Sequence, residues 1–281
     1  MKRKICAALV AVAVAVIISI FSVNVNGFHM AVFPNIGLAD LHTPAKAIEA
    51  YAVSVDEPEG GSLKLRLVCG IAKKSVVKVL MREHAGSGLI WRMDSGRLII
   101  ASSRHLLMED VDASVIFCDG TQAQARILGY SQQYDVGFLY IETKELSEST
   151  LRRINAVVPF LDDIEGSGQV RSAFLGERAG ADIIQLGVNL GDGGLIFSKG
   201  YIMAADFSPV FNCFMIQTKC YARAGMSGGG MFDESGQLIG MISGGDVSED
   251  SLSKESEVTY SLPAGTIENE YLAILRDFSD D

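Results

Sequence analysis

The chain has 281 residues and carries 34 acidic against 24 basic side chains, a formal net charge of −10. That length supplies enough chain for the core of one or two domains. The acidic balance, with no Lys/Arg cluster interleaved with aromatics, argues against a nucleic-acid surface, and the absence of C-x-x-C or H-E-x-x-H spacing argues against a metal site. No cofactor is expected.

Met1-Lys2-Arg3-Lys4 precedes an uncharged apolar run from Ile5 to Val23. As a helix this run spans roughly 28 Å, close to the hydrocarbon thickness of a bilayer. It is longer than a usual signal-peptide core and no A-x-A site follows it, which favours an uncleaved transmembrane signal anchor. The alternative is a signal peptide cleaved after Gly27, with Val25 in the upstream small position. Positive charge before the span and an acidic body after it predict a cytoplasmic N-terminus, a single pass through the cell membrane and an extracytoplasmic body. Residues 24–66, with scattered Pro, Gly and acidic positions and no sustained strand pattern, read as a stalk.

From Leu67 on, strand signals recur with turn residues between them. Gly86 to Trp91 and Arg97 to Ala101 flank Met93-Asp94-Ser95-Gly96, a hairpin whose second strand runs into His105. Ser114–Cys118 and Thr121–Ile127 flank Asp119-Gly120 as a second hairpin, and Asp135 stands at the mouth of another strand ending at Ile141. Gly187 to Gly200 is glycine-rich without phosphate-loop spacing and reads as turns. A strand over Phe214–Thr218 leads to Gly225-Met226-Ser227-Gly228-Gly229, and Met231-Phe232 and Leu238-Ile239 form a hairpin around Asp233–Gly236. Ser248 to Glu257 reads as a solvated loop. The last element is a helix over 266–278, with Thr266 as N-cap and Ile267, Tyr271, Ile274 and Phe278 on one face. Short strands at this spacing predict an all-β, closed antiparallel architecture.

The glycines around Ser227 put its hydroxyl on a sharp turn and let neighbouring amides point at a substrate oxygen, as acyl transfer requires. Such a serine needs a base. Of the four histidines, His29 and His42 precede any folded domain and His84 reads as a loop residue, which leaves His105. Asp135 is the candidate acid that orients it.

These segments, in the order His, Asp, Ser, resemble trypsin-like serine peptidases of the chymotrypsin superfamily, and most closely the bacterial HtrA-type branch. Leu238–Gly245 is similar to the branch's substrate-pairing strand and Tyr260-Ser261-Leu262-Pro263 to its closing strand, so the likeness spans about residues 72–275. The resemblance implies two six-stranded antiparallel barrels, about residues 67–143 and 155–263, joined through Lys144–Ile154, with the site in the cleft between them. It implies a serine endopeptidase acting on proteins or peptides, and no stretch remains after the helix for the branch's usual PDZ domain. His105, Asp135 and Ser227 take the catalytic roles, and the amides of Gly225 and Ser227 the oxyanion hole. Ser243 matches the serine that bonds the catalytic aspartate, or else is an ordinary strand serine; Gly244 and Gly245 would pair with substrate backbone. Tyr221, six residues before Ser227, falls at the base of the primary specificity pocket, which predicts cleavage after small or aliphatic residues; the alternative is that loop differences displace it from the pocket.

Two positions depart from the branch. Met226 stands where an Asn is usual and Gly230 where a Pro is usual. Methionine cannot pair with a freed N-terminal amine, so activation by N-terminal cleavage is not expected. Arg104, directly before the base, would lower the His105 pKa by its charge unless solvent exposure screens it. Cys69, Cys118, Cys213 and Cys220 either pair as disulfides or sit as buried small hydrophobes. The competing functional reading is an inactive protease fold that binds peptides or a partner ectodomain; an intact Ser227, His105 and Asp135 favours the enzyme.

Overall fold

The computed structural model describes residues 63–82, 84–94, 96–108, 112–161, 178–190, 194–245 and 255–279. The expected membrane span, nearly all of the expected stalk and most of the charged loop after Ser248 lie outside these residues. Two closed six-stranded antiparallel barrels and a C-terminal helix are present, as the motifs imply. In the first barrel β1 (Val76–Leu80), β2 (Ala85–Met93), β3 (Arg97–Ser102), β4 (Asp112–Ile116), β5 (Gln122–Tyr130) and β6 (Gly137–Glu142) close in the order β1-β2-β3-β6-β5-β4. In the second, β7 (Asp182–Val188), β8 (Leu195–Ser208), β9 (Cys213–Arg223), β10 (Gly230–Asp233), β11 (Leu238–Gly245) and β12 (Glu255–Pro263) close as β10-β11-β12-β9-β8-β7.

β3 shows how the barrels are held together. Successive side chains of a strand point to opposite faces. Leu98 and Ile100 face the interior of the first barrel with Val77, Val79, Leu139 and Ile141. Ile99 and Ala101 face the other way, into a cluster shared with Leu186, Phe232, Met241 and Leu262 of the second barrel. A strand buried on both faces reads as an unbroken apolar run, which is what Leu98-Ile99-Ile100-Ala101 is. Each large side chain so buried contributes about 1.5–3 kcal/mol.

α1 (Leu63–Ala72) and α4 (Ala264–Ser279) pack on this shared core, while a 3-10 turn (Thr143–Glu145) and α3 (Glu148–Arg153) lie in the segment between the barrels. Ser147 caps α3, its hydroxyl accepting from the Thr150 amide at 3.0 Å. On α4, Ile267 and Tyr271 are buried, and the Tyr271 ring lies 5.3 Å from that of Phe138. Glu268 turns inward: it accepts from Trp91 Nε1 at 2.9 Å and pairs with Arg92.

Three local features differ from the sequence reading. Strand signals begin at Leu67, but residues 63–72 form α1, whose Val68, Cys69 and Ala72 are buried on one side. A short apolar run fits helix and strand alike, and here burial one turn apart decides. β3 stops at Ser102, and His105 rides on α2 (Arg104–Leu107), a single turn anchored by buried Leu106 and Leu107. Thr266 lies two residues inside α4 rather than at its cap. No disulfide joins the four described cysteines, and burial pushes Cys118 and Cys220 up to about 11, far from the reactive thiolate range.

Candidate active site

α2 and the turn before β6 bring His105 and Asp135 together. The turn is tied by Ser131, whose hydroxyl accepts from the Gln133 and Tyr134 amides at 3.0 and 2.9 Å while its own amide donates to Val136 O at 2.9 Å. Asp135 Oδ1 then accepts from the His105 amide at 3.0 Å, and Oδ2 stands 2.9 Å from His105 Nδ1. The imidazole with its proton on Nδ1 satisfies this contact and leaves Nε2 as an acceptor. Hydrogen bonding to Asp135 raises the His105 pKa above its ordinary value, against a smaller opposing effect of burial. The expected lowering by Arg104 does not occur. Its guanidinium turns away, bonding Gln132 O and Met108 Sδ at 3.1 Å each and lying 5.8 Å from the Tyr130 ring centre.

The Ser227 turn is wedged against the first barrel. The Ser87 amide donates to Ser227 O at 2.9 Å, the Gly228 amide to Ile242 O and the Ile242 amide to Gly229 O at 2.8 Å each. Gly228 has φ +85°, and a Cβ there would overlap the Ser87 carbonyl oxygen. Both causes require glycine. A Cβ on Gly86 would meet both the Leu106 side chain and the Ser227 carbonyl, so α2 and the Ser227 turn converge on one residue of β2. Ser227 Oγ donates to Ser243 O at 3.3 Å rather than to His105. The Gly225 and Ser227 amides donate to no group among the described residues. Met226 is fully buried with Ala222 and Ile242, an apolar plug in place of a polar side chain.

β11 offers an open edge beside this turn. β10 pairs with it only from Leu238 to Met241, whereas β12 continues along Gly244 and Gly245. Past Ile242, then, β11 has a strand on one side alone among the described residues. The Ser243 hydroxyl is buried and bonds no group among the described residues, Asp135 included. Tyr221 lies between buried Cys220 and Ala222 and is 37 % exposed, its carbonyl accepting from Ser198 Oγ at 2.7 Å. Phe211, at the β8–β9 tip, approaches Gly244 and stacks on Tyr260 with ring centres 5.6 Å apart. Neither Phe211 nor the inward role of Ser87 was visible in the sequence; the glycines flanking Ser87 were the available signal of close backbone approach.

A match to the trypsin-like peptidase domain spans residues 86–241 and takes in His105, Asp135 and Ser227. The chain belongs to that family. The serine protease Do-like HtrA of Lactococcus lactis is 20 % identical over 193 residues, covering 68 % of this chain and 44 % of its own. The chain therefore spans less than half the length of that curated relative. Among solved structures, the HtrA-type protease AlgW with tripeptide has a TM-score of 0.57 at 20 % identity, covering 74 % of this trypsin-like chain and 62 % of its own. The serine endoprotease from Yersinia pestis gives 0.55 at 20 %, covering 75 % and 66 %. The Rv3671c protease of M. tuberculosis, in its inactive form, gives 0.54 at 18 %, covering 74 % and 92 %. At these identities the structural likeness establishes the fold.

Proposed function

We propose that this trypsin-like chain is a serine endopeptidase working through Ser227, His105 and Asp135, held at the cell membrane by its N-terminal segment with the barrels outside. The observation that carries the reading is the pairing of Asp135 with His105 Nδ1, which frees Nε2 to act as base. Ser227 Oγ leaves the Ser243 carbonyl, gives its proton to His105 Nε2 and attacks a peptide carbonyl carbon. The carbonyl oxygen, now an anion, is met by the unengaged amides of Gly225 and Ser227; one such donor contributes roughly 10²–10³ in kcat. His105 then hands the proton to the leaving amine, and water repeats the sequence on the acyl-enzyme. The open edge of β11 at Ser243–Gly245 takes the substrate as an added strand, which suits unfolded protein.

Purified protein is expected to hydrolyse casein and to be labelled by a fluorophosphonate at Ser227. Ser227→Ala and His105→Ala each abolish turnover while the fold survives; wild-type-like rates in either variant exclude the assignment. The chain stays in the membrane fraction after a high-salt wash, and protease added to intact cells removes the region after Asn24. A soluble mature form beginning near Phe28 would instead mean a cleaved leader. Tyr221 offers no full charge, so cleavage follows Ala, Val or Leu, and a library profile dominated by Lys or Arg excludes that pocket.

A further inference from the structure

Ser87 makes four hydrogen bonds, and three of them reach the Ser227 turn or the strand beneath it. Its hydroxyl donates to Gly225 O at 2.6 Å and accepts from the Val188 amide at 2.8 Å. Its amide donates to Ser227 O at 2.9 Å, and its carbonyl accepts from Ser102 Oγ at 2.7 Å. The side chain is wholly buried, so no water competes for these groups.

The hydroxyl bond falls on a particular peptide plane. The plane joining Gly225 to Met226 lies in the chain between the two unengaged amides, Gly225 N–H before it and Ser227 N–H after it. Its N–H end is held by Arg223 O at 3.1 Å. Its C=O end is held by Ser87 Oγ and by no other group among the described residues. A rotation of this plane changes ψ of Gly225 and φ of Met226 together, and so re-aims one amide relative to the other. Gly225, at φ +99°, has no side chain to resist such a turn. Two donors serve an oxyanion only while both point at one spot.

We infer that Ser87 is the positioning residue of the oxyanion hole, holding the two amides convergent from the opposite barrel. It touches neither substrate nor His105. The inference rests on the peptidase reading above and adds a regulator of its transition-state step.

Its signature is a loss confined to the transition state. Ser87→Ala removes both hydroxyl bonds, and Ser87→Cys keeps the shape of the side chain while weakening them. In each variant kcat falls about tenfold or more, within the range set by loss of a donor, while KM stays within about twofold. Affinity for a peptide boronate, whose tetrahedral adduct uses the hole, falls by the same factor as kcat. The pH profile keeps its acidic limb because His105 and Asp135 are untouched. Thermal unfolding identifies folded samples, and should Ser87→Ala not fold, Ser87→Cys decides. Unchanged kcat and boronate affinity in a folded variant overturn the inference, as does a raised KM at constant kcat. Wild-type protein that neither cleaves casein nor takes a fluorophosphonate overturns the peptidase reading and this inference with it, whereas active wild type matched by both variants overturns the inference alone.

Discussion

Glu268 ties the C-terminal helix to the first barrel through two partners of different kinds, and replacing it tells them apart. Its carboxylate is 5 % exposed and accepts from the Trp91 indole, which is itself buried at 2 %. The second partner, Arg92, is 40 % exposed, so solvent screens that ion pair and its net worth is about 0–1 kcal/mol. Glu268→Ala leaves the indole N–H buried without an acceptor, a cost of about 1–3 kcal/mol. It also deletes packed methylenes, so the total comes to about 2–4 kcal/mol, with the indole as the larger share. For a domain of this size that is a fall in Tm of roughly 5–15 °C. Glu268→Gln keeps an oxygen facing the indole and loses only the charge, so about 1 kcal/mol is expected. Arg92→Ala is similarly mild. Urea unfolding of the wild type and three variants checks the ranking. A Gln variant as damaged as the Ala variant, or a loss erased by high salt, would refute the argument that the indole bond outweighs the ion pair.

The raised His105 pKa moves the acidic limb of kcat/KM above the ordinary histidine value of about 6.5, since the base must be neutral to act. Removing the carboxylate in Asp135→Asn brings the limb down, with kcat lower by about 10⁴ through the wrong tautomer. The same shift links to stability: the bond to Asp135 contributes fully below about pH 6.5 and fades as pH rises through the folded value, so Asp135→Asn costs more Tm at pH 5.5 than at pH 8.5. Gly228→Ala forces a side chain onto left-handed backbone, about 1–2 kcal/mol, and onto the Ser87 carbonyl. Loss of fluorophosphonate labelling and a Tm drop of about 10 °C or more are expected. With no disulfide among Cys69, Cys118, Cys213 and Cys220, reductant leaves Tm unchanged; a fall on reduction would reveal a disulfide.

How much of this was legible in the sequence depended on the range of the interactions. Hairpins announced themselves because Asp94-Ser95-Gly96 and Asp119-Gly120 carry turn chemistry within a few residues of the strands they join. His105, Asp135 and Ser227 were singled out by motif order; the structure joins the first two directly and brings the Ser227 turn to the same residue of β2 as α2. The Ser87 bonds were not legible, because they link residues 138 and 101 positions apart. Arg104 misled for a related reason: adjacency to His105 in the chain says nothing about where a long side chain points. α1 was hidden by the ambiguity of an apolar run, which only a neighbour's surface resolves.

The Ser227 turn rests on β2 of the other barrel through Ser87 N–H, Ser87 Oγ and the Ser87 carbonyl under Gly228. On the peptidase reading, neither barrel by itself holds all of His105, Asp135 and Ser227, so no fragment ending between them is expected to be active. It follows that rate is a gauge of how well the halves are seated. A denaturant or substitution that loosens the seam by a fraction of an ångström would silence turnover while both β-barrels, and the circular dichroism they give, persist.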